Sequence, residues 1–333
     1  MKKVLFITNQ SDHAVNQIIA WLDKLEQPYI RLNTEDFLLS QNKLTLKLAT
    51  TDDSFQFLIE ETEISSSDIL SVCYRRPALI FINKIPNAEY IEAQWKHTIW
   101  SLATNLDSFW INHPLWGKYL LEHNKLHQMR CATAVGLKVP ETIVSNDITE
   151  IIKFSKKHSD KVACKPLRHT NLANENDIPV GIYTQMVTTQ DFIGREKSIS
   201  ISPMIVQKYI EKTVELRVTI IGHHIFACEI HSQDSERTKH DWRRYDFDNV
   251  KHCIHILPQE IVYAILELMR HLRLNFGAMD FILDQDGQYI FLEVNPTGQY
   301  GWIEDITKQP ISETFAQALI NPTKHGIVNY KIL

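Results

Sequence analysis

Apolar residues fill positions 4–7 and then recur at Ala14, Val15, Ile18, Ile19 and Leu22. The first run has the length of a buried strand, and the second has helical spacing, with Ser11 or Asp12 able to cap it. Residues 29–32 are again apolar, so the chain opens as a β-α-β unit with a parallel strand pair. Leu44, Leu46 and Leu48 alternate with polar positions, as do Phe55, Phe57 and Ile59, which predicts an antiparallel hairpin. A strand over 69–74 ends at Arg75-Arg76-Pro77, a long helix follows over 87–106, and Asn112-His113-Pro114 closes a first domain.

One helix is expected over 117–135, stopped near Gly136 and Pro140. Residues 162–164 make a short strand that runs into Lys165-Pro166, whereas 168–179 are polar, aperiodic and free of glycine, as in a loop. Strands are expected over 205–210, 214–221 and 225–231, then a charged loop over 232–249. Pro258 suits the first turn of a helix whose apolar face is Ile261, Ile265, Met269 and Leu272. The last strands, 278–283 and 288–294, hinge at Asp284-Gln285-Asp286-Gly287.

The composition is that of an ordinary globular protein, with 44% hydrophobic and 23% charged residues among 333. A net charge of -5 gives no broad attraction to nucleic acid. No apolar run approaches the length of a membrane span, and the one at residues 4–7 is too short for a signal segment. The five cysteines are odd in number and form no CxxC pair, so free thiols in a reducing cytoplasm are expected.

The densest chemistry lies in Phe276-Gly277-Ala278-Met279-Asp280 and Phe291-Leu292-Glu293-Val294-Asn295-Pro296-Thr297-Gly298. A turn over 284–287 pairs Leu283 with Gln288 and Asp280 with Phe291, and strand alternation then puts Asp280, Glu293 and Asn295 on one face. Two carboxylates and an amide oxygen make a hard oxygen site suited to Mg²⁺ carrying nucleotide phosphates. Acids scattered on a solvated hairpin are the alternative, but Glu293 and Asn295 stand in an otherwise apolar strand, where unmatched polar groups are costly.

Lys165 at a strand end and Lys125 on the 117–135 helix are placed to reach phosphates, although each taken alone also reads as a surface charge. Gln207-Lys208-Tyr209-Ile210 suits an extended hinge that reads an adenine edge, and Glu215 and Arg217 share a face for ribose and phosphate. His252-Cys253 and His255 lack a second ligand cluster at zinc-site spacing and are expected to be structural, as are His223-His224. Trp302 is a candidate cover for nucleotide or peptide.

In this order, Asn124-Lys125-Leu126, Lys165-Pro166, Gln207-Lys208-Tyr209-Ile210, Glu215-Leu216-Arg217-Val218, Gly277-Ala278-Met279-Asp280 and Leu292-Glu293-Val294-Asn295-Pro296-Thr297-Gly298-Gln299 resemble an ATP-grasp ligase over about 115–305. Tyr74-Arg75-Arg76-Pro77, Glu229-Ile230-His231-Ser232-Gln233 and Asp241-Trp242-Arg243-Arg244-Tyr245 narrow the resemblance to the graspetide maturases, the microviridin-type peptide macrocyclases. The resemblance implies an α/β ATP-grasp fold with an N-terminal α/β pre-ATP-grasp domain at 1–115, a central subdomain at 116–204 and a C-terminal subdomain with the metal site at 205–333. It also implies ATP and Mg²⁺ as cofactors. Lys125 and Lys165 become phosphate lysines, Gln207, Tyr209 and Ile210 the adenine hinge, and Glu215 the ribose acid. Asp280, Glu293 and Asn295 become metal ligands, and Arg243 the holder of the acyl phosphate. Many ATP-grasp enzymes carry a glycine-rich phosphate loop after the Lys-Pro strand; 168–179 departs from that pattern, with Arg168 or His169 the candidate replacements there.

In the implied reaction, ATP phosphorylates an Asp or Glu side chain of a ribosomal precursor peptide, with Lys125, Lys165 and Arg217 bracing the phosphates. A Ser, Thr or Lys side chain of the same peptide then attacks, Arg243 steadies the oxyanion, and Asp241 or His231 is the candidate base. Arg75, Arg76 and Arg244 are candidate contacts for the acidic peptide, with arginines on a solvated loop as the plain alternative. The expected partners are a precursor with a leader segment and a second copy of the chain. An amino-acid ligase acting on a small acid or protein terminus, and a nucleotide-binding module without ligase activity, are the rival readings.

Overall fold

The computed structural model describes residues 1–37, 43–48, 55–59, 62–77, 86–122, 124–168, 171–173 and 179–331. The opening unit is as expected: strands Lys3–Thr8 and Tyr29–Asn33 run parallel around helix His13–Lys24, whose Ala14, Val15, Ile18 and Leu22 are buried. Strands Ile69–Tyr74 and Phe109–Ile111 extend this to a four-stranded parallel sheet. The hairpin of Leu44–Leu48 and Phe55–Ile59 is antiparallel, and Thr62–Ser65 adds a third strand.

Two antiparallel sheets follow. The smaller has the order Gln185–Val187, Val162–Lys165, Met204–Lys208, Thr142–Ser145. The larger has the order His252–His255, His224–Ile230, Lys212–Ile221, Phe276–Asp284, Tyr289–Asn295. One face of the larger sheet packs Leu216, Val218, Phe281 and Phe291 against Ile265, Leu268 and Met269 of helix Gln259–His271. A second cluster joins Val4, Phe6 and Ile18 to Phe315 and Leu319 of helix Ile311–Ile320. Ser71 Oγ donates to the Leu319 carbonyl at 2.7 Å, so the end of the described chain returns to the first sheet.

The single helix expected over 117–135 is two elements. A π-helical turn covers Leu115–Leu121, and a new helix spans Lys125–Ala134. Asn124 caps the second, its side chain accepting from the His127 amide, which satisfies a donor that helix continuation would otherwise have used. Lys125 therefore stands at a helix start. The segment 168–179, expected as a loop, instead holds a strand, Asn171–Ala173, paired antiparallel with Pro179–Gly181. Arg168 is exposed, and His169, residue 170 and 174–178 lie outside the described residues.

Candidate functional site

The hairpin of Phe276–Asp284 and Tyr289–Asn295 brings the two carboxylates together by a register different from the one expected. Leu283 pairs with Tyr289 and Phe281 with Phe291, and a bulge then sets Asp280 opposite Glu293 rather than Phe291. A bulge leaves one residue without a partner, here Leu292, and turns the residues beyond it. Asp280 and Glu293 thus share a face by direct opposition. Asn295 lies opposite Ala278 and is exposed, its Oδ1 accepting from the Thr297 amide at 3.0 Å.

Cations meet both carboxylates. Arg217, opposite Asp280 on the next strand, donates from Nη1 to Oδ1 and Oδ2 at 3.0 and 3.1 Å. Lys125 Nζ is 2.9 Å from Glu293 Oε2. Gln128, one turn along the helix, sets that contact: its amide donates to the Leu121 and Val294 carbonyls and accepts from the Val294 amide. Lys165, at the end of its strand, is buried, and that burial lowers its pKa to about 8 although Glu293 pulls it upward. Burial raises the Asp280 carboxyl against the pull of Arg217. Burial acts the same way on Glu293, but Lys125, Lys165 and Arg243 outweigh it and hold this carboxyl far below the usual range.

A cleft between the two antiparallel sheets is walled by Lys165, Gln207, Tyr209, Ile210, Glu215, Arg243, Asp280 and Glu293. Gln207 turns its side chain aside to Thr142 Oγ1 at 2.8 Å, and Tyr209 Oη meets His240 Nδ1 at 3.1 Å. Glu215 is buried beside Lys212, and burial raises its carboxyl to about 7 despite that lysine. Lys212 was missed in the sequence. Its only signal is a position three residues before Glu215, which reads as an exposed strand start.

Asp241 takes Arg243 Nε at 2.8 Å and the Thr184 amide at 2.9 Å. Burial would raise its carboxyl, but the Arg243 bonds and charge hold it low, which makes it a weak base while that pair lasts. His231, the other candidate base, points its Nε2 to Glu229 Oε2 at 3.1 Å. Arg244 lies over the Tyr183 ring, 5.2 Å from its centroid. Trp302 belongs to an aromatic group with Trp242, Tyr245, Phe247 and His252.

The pair Arg75-Arg76 divides. Arg76 is exposed with a left-handed φ of 46°, but Arg75 is 1% exposed and has no surface to offer a peptide. Its Nε reaches Asp12 Oδ2 at 3.3 Å, and both terminal nitrogens donate to the Gly298 carbonyl at 3.2 Å. Arg217 Nη2 donates to the neighbouring Gln299 carbonyl at 3.2 Å, so two buried guanidiniums from two sheets hold the loop after Asn295. The reading of Arg75 as a peptide contact is therefore corrected: a guanidinium kept from water must be paired inside the protein.

Several buried polar atoms in and beside the cleft have no hydrogen-bond partner among the described residues, including Lys125 Nζ, whose ion pair with Glu293 falls short of hydrogen-bond geometry, Glu215 Oε2 and Arg217 Nε. Unmatched buried groups are costly unless a ligand completes them. Phosphate oxygens fit the cations, a ribose hydroxyl fits Glu215, and Mg²⁺ fits the paired carboxylates; the donor set matches a magnesium nucleotide.

No protein-family model matches the chain, and no curated protein matches it in sequence. Solved structures do. A RiPP-associated ATP-grasp ligase of Chryseobacterium gregarium, in complex with ADP and a leader and core peptide, is 28% identical over 100% of both chains, with a TM-score of 0.88. The macrocyclase MdnB of Microcystis aeruginosa MRC is 26% identical over 96% of this chain and 99% of its own, at 0.75. MdnC of the same organism, bound with precursor peptide MdnA, is 23% identical over 96% and 100%, at 0.82. This chain has the ATP-grasp fold and, along its whole length, resembles the RiPP-associated ATP-grasp ligases.

Proposed function

We propose that the protein is an ADP-forming carboxylate ligase that closes ester or amide rings in a ribosomal precursor peptide, joining Asp or Glu side chains to Ser, Thr or Lys side chains. The observation that carries this reading is the opposed pair Asp280 and Glu293 with the cations Lys125, Lys165, Arg217 and Arg243 around them at one cleft. A carboxylate is a poor electrophile. Its oxygen attacks the γ-phosphorus with ADP leaving, and the acceptor, giving up its proton to solvent or a base, then attacks the acyl carbon with phosphate leaving.

In this reading Asp280 and Glu293 hold Mg²⁺, with Asn295 as a third ligand, and the metal supplies charge neutralisation at the nucleotide phosphates. Lys125 and Lys165 bind phosphate oxygens, Arg217 fixes Asp280 and the Gln299 carbonyl, and Glu215 takes ribose. The 207–210 backbone lies where an adenine edge would be read. Arg243 binds the transferred phosphoryl group and then the oxyanion, with Asp241 keeping its guanidinium in place. Arg76 and Arg244 offer charge to the acidic peptide, which binds through a leader segment. A division at 115 and 204, and a cytoplasmic site of action, complete the reading; no described helix is long and apolar enough to cross a membrane, and the five cysteines are free.

The test is the intact mass of a candidate precursor, rich in Thr, Ser, Lys, Asp and Glu, after incubation with the protein, ATP and Mg²⁺. Loss of one water per bond with matching ADP is expected. ADP formation that depends instead on an added free amino acid, with the peptide mass unchanged, would replace the macrocyclase with an amino-acid ligase.

A further inference from the structure

On the face of the five-stranded sheet turned away from the cleft, three metal-ligating side chains converge. Glu229 pairs across the sheet with Leu216, whose side chain is in the core under helix Gln259–His271, so it leaves the face opposite to Arg217. On its other side Glu229 lies directly opposite Cys253 of the edge strand His252–His255. His231 shares the same alternation, and the ligand atoms of Glu229, His231 and Cys253 all lie within 4.8 Å of one another. All three are partly exposed, so an ion can reach them.

The donor set is a carboxylate, an imidazole and a thiol, the mixture that zinc accepts at about 2.0–2.3 Å from each donor. Tetrahedral bonds of that length separate donors by about 3.5 Å, so small side-chain rotations close the site. A supporting shell is already built. His255 Nδ1 is 2.7 Å from Glu229 Oε1 and its Nε2 is 2.8 Å from Tyr289 Oη, which anchors the carboxylate through Oε1. Oε2 faces His231 Nε2 at 3.1 Å, the contact an ion would replace.

The position gives the cluster a consequence. Segment 232–251 carries Asp241, Arg243 and Arg244; it leaves the sheet after His231 and returns just before His252 and Cys253. A backbone bond from the His231 amide to the Lys251 carbonyl, at 3.0 Å, already closes its neck. A metal bridging His231 and Cys253 would fasten that neck from the opposite face. We propose that Glu229, His231 and Cys253 form a zinc site, with a water in the fourth position, that clamps the base of the Arg243-bearing segment. Binding replaces the Cys253 S–H bond with S–Zn and releases the proton to buffer. The inference stands apart from the ligase reading, since neither nucleotide nor peptide enters it.

The test uses the full chain, stripped with chelator and titrated with ZnCl₂ against a chromophoric competitor, then with CoCl₂. One equivalent of zinc, a thiolate-to-cobalt charge-transfer band, and loss of that band with zinc affinity weakened about tenfold or more in Cys253→Ser are expected. Cys131→Ser, which removes a thiol 3.7 Å from His127, is expected to change neither. Wild-type protein that binds no zinc, or a band that survives Cys253→Ser, overturns the proposal. If Cys253→Ser fails to fold, alkylation of the wild type decides: zinc must slow modification of Cys253 relative to Cys131, and equal rates refute the site.

Discussion

The parallel sheet and the five-stranded sheet each bury an arginine–aspartate pair, and the two pairs do different work. Arg75 meets Asp12 at 3.3 Å beneath helix His13–Lys24, and Arg217 meets Asp280 at 3.0 Å in the wall of the cleft. Both arginines hold carbonyls of the same loop, at Gly298 and Gln299. The difference lies in what surrounds them. Near Arg75 are the rings of Phe276 and Tyr300, whereas around Asp280 stand Glu293, Lys165 and Arg243. A buried ion pair is by itself weak evidence of chemistry; a second carboxylate and further cations beside it supply that evidence.

The largest expected effect separates the two pairs outright. Asp280→Ala or Glu293→Ala should cut ATP-dependent peptide modification about a thousandfold while thermal melting stays cooperative, because the charge of the transferring phosphoryl group loses its metal. Full activity in both variants would place the metal elsewhere.

Next come the pairs themselves. Arg75→Ala should destabilise the protein by about 3–5 kcal/mol in denaturant titration, since Asp12 is left buried and unpaired. Replacing both partners, Arg75→Met with Asp12→Leu, should recover most of that loss and retain ADP binding. The matching double variant at the other pair, Arg217→Met with Asp280→Leu, should recover stability without recovering activity. Equal behaviour of the two double variants would erase the distinction between them.

A third effect is a proton count. Lys165, with its pKa lowered to about 8, is largely neutral above that pH in the free protein and is recharged when phosphates arrive. ADP binding above about pH 8 should therefore take up protons, and affinity should fall as pH rises through that value. Calorimetry in buffers of different ionisation enthalpy reads the uptake, and Lys165→Met should abolish it.

The smallest is a stability slope. Glu215 has its carboxyl raised from 4.5 to about 7, so the folded state binds the proton more tightly than the unfolded chain. Its contribution is present in full below 4.5 and is lost as pH rises through about 7; the free protein should lose stability across that window. Glu215→Gln should flatten the slope in melts recorded from acid to neutral pH.

The comparison also shows what a sequence can reveal. Asp280, Glu293 and Arg217 were legible as polar residues in apolar strands, but the expected register was one residue out at the turn, which alone would flip the face. The bulge at Leu292 adds the second residue that returns Glu293 to the face of Asp280. The bulge that sets Asp280 opposite Glu293 was not legible; beside it the Phe291 amide bonds to the Lys138 carbonyl at 2.8 Å, a partner far away in the chain. Arg75 was misread because its partner, Asp12, appears in the sequence only as a possible helix cap. The break before Lys125 was hidden in a run of residues that helices tolerate, and Asn124 was its one local sign. Asn112 shows the same limit: it donates to the Phe276 and Pro296 carbonyls and accepts from the Asn275 and Phe276 amides, joining elements far apart in the chain. Nothing in Asn112-His113-Pro114 announces that role.

The most direct test of the central claim follows the oxygen atoms. A precursor peptide whose Asp and Glu carboxylates carry heavy oxygen would be modified in the presence of ATP and Mg²⁺, and the inorganic phosphate analysed by mass. Activation through an acyl phosphate predicts one heavy oxygen in the phosphate for each bond formed. Modified peptide with unlabelled phosphate would mean that the carboxylate never attacks phosphorus, and would contradict the account.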